Sequence, residues 1–304
     1  MKFPYQLIKM GLIFSICMSL AMGFLGLITG QIIMAVMGFL SFLFGCCYAY
    51  FVWDRIPFAA ANLNTALTAV RCNMGLSGVA YLSLVVAFGW SMFWSVAAGG
   101  TMVALGQGAL FLFLVSYYWV HQVLQNTVHV TSAGVIGTWW FAPHEASSCC
   151  SRALMDSFAR ATTYSFGSIC LGSLLVAIVQ ALRAMLRMAQ DNEESVEGCN
   201  FMVCILQCIL GCIEGMIEEL NKWAYIYVGL YGYNYFEAGR NVMILFENKG
   251  WSAIVTDDLC ENVLSMMSIA IGLVTGLVGL AVAAMDKNTY YNMGFESPQL
   301  VGFL

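Results

Sequence analysis

The chain has 304 residues, of which 61% are hydrophobic and only 10% charged, with a formal net charge of −5 at neutral pH. Soluble domains average about a quarter charged residues, so a water-facing surface cannot be built along the whole of this chain. Its Lys and Arg residues are scattered and form no basic patch, so nucleic acid is not an expected partner.

Residues 72–144 contain no Asp, Glu, Lys or Arg at all, and 10–53, 161–182 and 262–285 are equally free of charge. At a rise of ~1.5 Å per residue, such stretches are long enough to cross a hydrocarbon core of ~30 Å as helices. The chain therefore reads as an all-α polytopic transmembrane helix bundle with about seven spans. The first, near 8–29, follows Lys2 and Lys9 and resembles a secretory signal. Its apolar run is longer than an h-region and a second span, 31–53, follows at once, so it reads as a retained helix. Arg55 and Arg71 then bracket a link in which Pro57 disfavours an unbroken continuation of the second helix.

The third and fourth spans, 75–98 and 103–130, are joined by the small residues Ala97 to Gly100. A loop is expected from 139 to 163, opening on the tandem Trp139-Trp140 of an interfacial belt. The fifth span, 164–187, starts with Ser165, Gly167, Ser168, Gly172 and Ser173, a small-residue pattern that lets helices approach closely. The sixth, 201–230, is interrupted by Glu214, Glu218, Glu219 and Lys222, and the seventh is 262–285. Basic residues near the span ends place the N-terminus in the cytosol, with Arg55, Arg71, Arg152 and Arg160 on the same side. Arg183 and Arg187, at the far end of the fifth span, break that alternation.

Polar side chains are costly in a bilayer unless they face protein or a water-filled path, which makes them pointers to function. In the fourth span Tyr118, Trp119, Gln122, Gln125, Asn126 and His129 fall within an arc of about 120° at 100° per residue. The aromatic rings can hold a quaternary ammonium by cation–π attraction, and the amides suit a hydroxyl. The same face also reads as a hydrogen-bonded seam between helices. Glu214, Glu218 and Lys222 recur at four-residue spacing in the sixth span, as a cation or proton relay or as a solvated helix end. Cys204, Cys208 and Cys212 share a face there, which suits packing or S-acylation and cannot by itself wrap a tetrahedral metal.

The run Asn126-Thr127-Val128-His129, then Ala133-Gly134 and Trp139-Trp140-Phe141, resembles the choline transporter-like family (solute carrier family 44). So does Arg160-Ala161-Thr162-Thr163 leading into Ser165-Phe166-Gly167-Ser168-Ile169-Cys170-Leu171-Gly172-Ser173. Arg55-Ile56-Pro57-Phe58, and Glu218, Asn221, Ala224 and Tyr225, add to the resemblance, which covers nearly the whole chain. It implies a multi-helix carrier, often at the plasma membrane, with choline and related amino-alcohols as substrates of some members. Compared with that family, residues 1–304 are expected to form one membrane-embedded domain lacking the family's first helix or helices and its last.

The function expected is transport of choline or a related small organic cation without ATP, since no Walker A loop is present. The expected substrate-binding residues are Tyr118, Trp119, Gln122, Asn126 and His129, with Glu214 and Glu218 as a possible relay. No catalytic residue, metal or cofactor is expected, and membrane lipids are the remaining partners. A channel-like or accessory subunit is the main alternative, because a polar-lined bundle also describes a pore. A lipid-synthesis enzyme fits poorly: Asp54, Asp156 and Asp191 are isolated, and Asp257-Asp258 lacks glycine-rich support.

Overall fold

A computed structural model describes residues 2–101, 107–192, 197–249 and 252–285, and among these it contains helices and turns but no strand. The helices are α1 (Lys2–Ile28), α2 (Ile32–Val52), α3 (Ile56–Cys72), α4 (Gly75–Thr101) and α5 (Gln107–Phe141). They continue as α6 (Arg152–Thr162), α7 (Phe166–Asn192), α8 (Glu197–Tyr231), α9 (Tyr235–Lys249) and α10 (Ser252–Met285). Five apolar stretches are long enough to span a membrane: Phe3–Ile28, Met34–Cys72, Gly75–Gly100, Phe166–Met188 and Asp257–Ala281. The other two expected spans lie in α5 and α8, of 35 residues each. Both exceed the length a bilayer requires. The amides and tyrosines of α5, and the carboxylates of α8, lower their mean hydropathy. The protein is an all-α polytopic membrane protein.

The chain divides into two compact units, one of Met1–Ala66 with Trp251–Leu304 and one of Leu67–Gly250. In the first, α1 and α2 form a hairpin. Gly30, at φ +74°, ends α1: its N–H reaches Leu27 O and the N–H of Gln31 reaches Gly26 O, closing off carbonyls that the helix leaves bare. Between two lipid-facing helices there is little hydrophobic drive, so association rests on close packing of small residues. Gly38 supplies it, because a Cβ there would collide with the backbone of Gly23. The core of this unit gathers Ile8, Leu12, Val52, Ile56, Leu63, Leu259 and Val263. Tyr48 donates to Asp258 across it at 2.5 Å. The break between α2 and α3 falls at a 3-10 turn, Trp53–Arg55, just ahead of Pro57 in the first turn of α3.

A direct test of this packing is Gly38→Ala. Overpacking of this kind costs about 1–3 kcal/mol, so the purified protein should melt earlier. Gly78→Ala, where a Cβ meets nothing within 4 Å, should leave the midpoint unchanged or raise it. Equal midpoints for both variants would contradict the close crossing.

In the second unit α5 is the central element, packed against α4, α6, α7 and α8. The expected loop from 139 to 163 is here corrected. α5 runs on to Phe141, and α6 occupies Arg152–Thr162. Ser151 caps α6 by accepting from Leu154 N at 3.2 Å, and Ala153, Leu154, Ser157 and Ala161 form its buried face. The segment is too short and polar to register as a span, which is why hydropathy concealed it.

Candidate functional site

The polar arc of α5 meets α7. Trp119 donates its indole N–H to Cys170 O at 2.9 Å, and Asn126 donates to Ser173 Oγ at 2.9 Å. Gln122 Nε2 reaches Gln180 Oε1 at 3.5 Å, and Gln180 in turn donates to Glu218 Oε1 of α8 at 3.3 Å. The ring of His129 lies 6.4 Å from that of Tyr225 on α8. Gln125, at the margin of the arc, is exposed. Trp119, Gln122 and Asn126 are therefore engaged in an interhelical seam.

The seam continues into a network among α7, α8 and α9. Asn221 is buried; it donates to Gly172 O at 3.0 Å and accepts from Tyr235 Oη at 2.6 Å. Tyr225, fully buried, donates to Ile169 O at 3.2 Å. Tyr235 N donates to Ser168 Oγ at 3.2 Å, which fixes the start of α9 beside the start of α7. Gly172 lies at the centre, where a Cβ would run into Tyr225 Oη and the Tyr235 ring. Every polar side chain here has a partner, as burial in a low-dielectric environment demands.

At one end of the seam a cavity of 420 Å³ opens, lined by Tyr118, Gln180, Arg183, Arg187, Met188 and Glu214. Its size falls in the range of small-molecule sites, roughly 300–1,000 Å³. Arg183 Nη1 donates to Glu214 Oε2, and the two side chains are 28% and 13% exposed. At the other end a second cavity, of 810 Å³, is lined by Thr138 of α5 together with Glu145, Arg152, Asp156, Arg160 and Tyr164. Tyr118 and Thr138 are twenty residues apart on the one helix α5 (138 minus 118), or ~30 Å at 1.5 Å per residue, which matches a hydrocarbon core.

The expected site residues thus separate. Tyr118 and Glu214 line the cavity, Glu218 is reached through Gln180, and Trp119, Gln122, Asn126 and His129 lie along the seam. Gln180, Arg183 and Arg187 were missed as cavity residues, although the two arginines had already stood out by breaking the charge alternation of the span ends. On α8, Cys208 and Cys212 are exposed free thiols. Among the described residues no group of three or more His, Cys, Asp or Glu side chains is placed to hold a metal ion.

A family model described as plasma-membrane choline transporter matches residues 32–304. The chain belongs to the choline transporter family. Protein PNS1 of Gibberella zeae is 31% identical over 290 residues, covering 88% of this chain and 53% of the relative. A CTL-like protein of Dictyostelium discoideum is 29% identical over 272 residues, covering 85% of this chain and 47% of the relative. Protein PNS1 of Candida albicans is 26% identical over 294 residues, covering 88% and 56% respectively. This choline transporter family member thus spans about half the length of the curated relatives it matches. The match unites the seam, the two cavities and the Gly172 network within one family segment, since all of them fall inside the matched residues.

Proposed function

We propose that this chain carries choline, or a related small organic cation such as another amino-alcohol, across the plasma membrane without ATP. The observation that carries the reading is the pair of cavities lined by charged side chains at the two ends of the α5 seam, near Tyr118 and Thr138, with hydrogen bonds between them. A carrier needs a site reached from either side in turn, and a seam of hydrogen bonds can re-pair as helices shift. In the cavity at the Tyr118 end, an aromatic ring beside a carboxylate suits a quaternary ammonium, which attracts both and needs no hydrogen bond. Trp119, Gln122, Asn126 and His129 are assigned to the path between the cavities, and Glu218 to the charge balance of the mouth. The driving force is membrane potential or exchange with another cation. Membrane lipids surround the chain, and no enzymatic step is assigned to it.

Reconstitution into liposomes and radiolabelled choline uptake at two pH values and two potentials tests the proposal. Saturable uptake inhibited by excess unlabelled choline is expected. Currents with single-channel steps and no saturation would favour a pore instead. Failure of the protein to move or bind any quaternary ammonium would remove the reading.

The N-terminus is proposed to lie in the cytosol, with α3 on that side. Asn64 is exposed on α3, so Asn64→Cys in a cysteine-reduced background should react with an impermeant maleimide only after the membrane is opened. Labelling of intact cells would invert the orientation.

A further inference from the structure

The geometry points to Arg183 as a tethered cation that occupies Glu214 between substrate molecules and is displaced when the substrate cation arrives. This inference rests on the proposed transport of an organic cation. Arg183 lies within the apolar stretch Phe166–Met188, where a charged side chain is expensive unless paired. Its partner Glu214 belongs to a different helix, α8. The pair is not sealed in the protein interior, as structural ion pairs of this kind tend to be. It lines an open cavity, and both side chains keep part of their surface exposed.

The way the guanidinium is held supports displacement. A structural arginine is typically gripped by two parallel bonds from its fork of donors. Here, among the described residues, only Nη1 makes a hydrogen bond, to one oxygen of Glu214, while Nε is buried without a partner. The α8 surface beneath leaves room beside the guanidinium. A Cβ at Gly211 would lie 3.5 Å from Arg183 Nη2, and one at Gly215 would meet nothing within 4 Å. Gly211, Glu214, Gly215 and Glu218 thus follow at helical spacing as two carboxylates set among two missing side chains. Glu218 accepts from Gln180, one turn from Arg183 on α7, so the second carboxylate is already engaged by a neutral group.

The consequence is a competition. With Arg183 on Glu214 that carboxylate is neutralised and closed to other cations. With a quaternary ammonium on Glu214, Arg183 must leave, and its return expels the substrate. An intramolecular competitor lowers apparent affinity by the fraction of molecules in which it is bound. If the pair is closed about ten times as often as open, removing Arg183 should tighten binding about tenfold. The same change should slow release, because nothing then replaces the departing cation.

The test is equilibrium binding of radiolabelled choline to the purified 304-residue chain, with its uncharged isostere 3,3-dimethylbutanol as a second probe. Arg183→Gln should lower the choline Kd about tenfold and leave the isostere unchanged. Arg183→Lys, which keeps a cation, should stay near the parent value. Glu214→Gln should weaken choline by more than about tenfold, with or without Arg183. Added guanidinium chloride should compete with choline strongly in Arg183→Gln and weakly in the parent, because it replaces the missing group. Should Arg183→Gln fold poorly, the Lys variant and guanidinium competition in the parent still read the same site. A parent that binds choline but is unchanged or weakened by Arg183→Gln overturns the tethered cation alone. A parent with no saturable choline binding overturns the transport reading and this inference together.

Discussion

Gly172→Val is expected to give a protein that melts far below the parent and loses the packing of α7 on α8 and α9. The argument is steric and then polar. A Cβ at position 172 would overlap Tyr225 Oη and the edge of the Tyr235 ring. Neither ring is free to swing, since Tyr225 donates to Ile169 O and Tyr235 donates to Asn221. Overpacking alone costs about 1–3 kcal/mol, and each buried hydrogen bond lost adds about 1 kcal/mol, so a destabilisation of about 3 kcal/mol or more is expected. Gly172→Ala should show the same effect in smaller measure. Thermal unfolding of the detergent-purified protein, followed by tryptophan fluorescence, measures both. The double variant Gly172→Ala with Tyr225→Phe should recover part of the loss, because removing the hydroxyl opens the space that the methyl needs. A Gly172→Ala midpoint equal to the parent's would show that the junction is looser than its contacts indicate.

The arc of polar residues on α5 was legible in the sequence because a helix repeats every 3.6 residues whatever surrounds it. The partners of that arc were not. Whether Asn126 meets Ser173, or Trp119 meets the carbonyl of Cys170, depends on how α7 is set against α5, a long-range relation without a local signal. Arg183 was visible only as a violation of the charge alternation, and its partner explains the violation: held by Glu214, it need not sit at a water-facing span end. Helix ends were under-read for a different reason. An apolar window marks only the part of a helix facing lipid, whereas backbone hydrogen bonding carries α5 and α8 to 35 residues each. α6 and α9 escaped because amphipathic helices of 11 and 15 residues resemble polar loops in hydropathy.

Trp119→Ala and Trp119→Phe are expected to separate a substrate-facing role from a structural one. The indole N–H is committed to Cys170 O, so only the ring faces remain to attract a cation. Cation–π attraction is worth ~0.5–2 kcal/mol, so Trp119→Ala should raise the choline Kd about 2- to 30-fold. It should also destabilise the fold, since Trp119 is half-buried and truncating a fully buried tryptophan costs about 3–5 kcal/mol, which sets the upper bound. Affinity must therefore be compared in protein shown to be folded at the assay temperature. Trp119→Phe keeps a π-face and forfeits only the bond to Cys170 O, worth about 1 kcal/mol of stability. If the ring holds the substrate, the Phe variant should bind choline within a few-fold of the parent while melting earlier. If Trp119 only ties α5 to α7, both variants should melt earlier and bind choline alike. The second outcome would place the cation among Tyr118, Glu214 and Glu218, at the mouth and away from the seam.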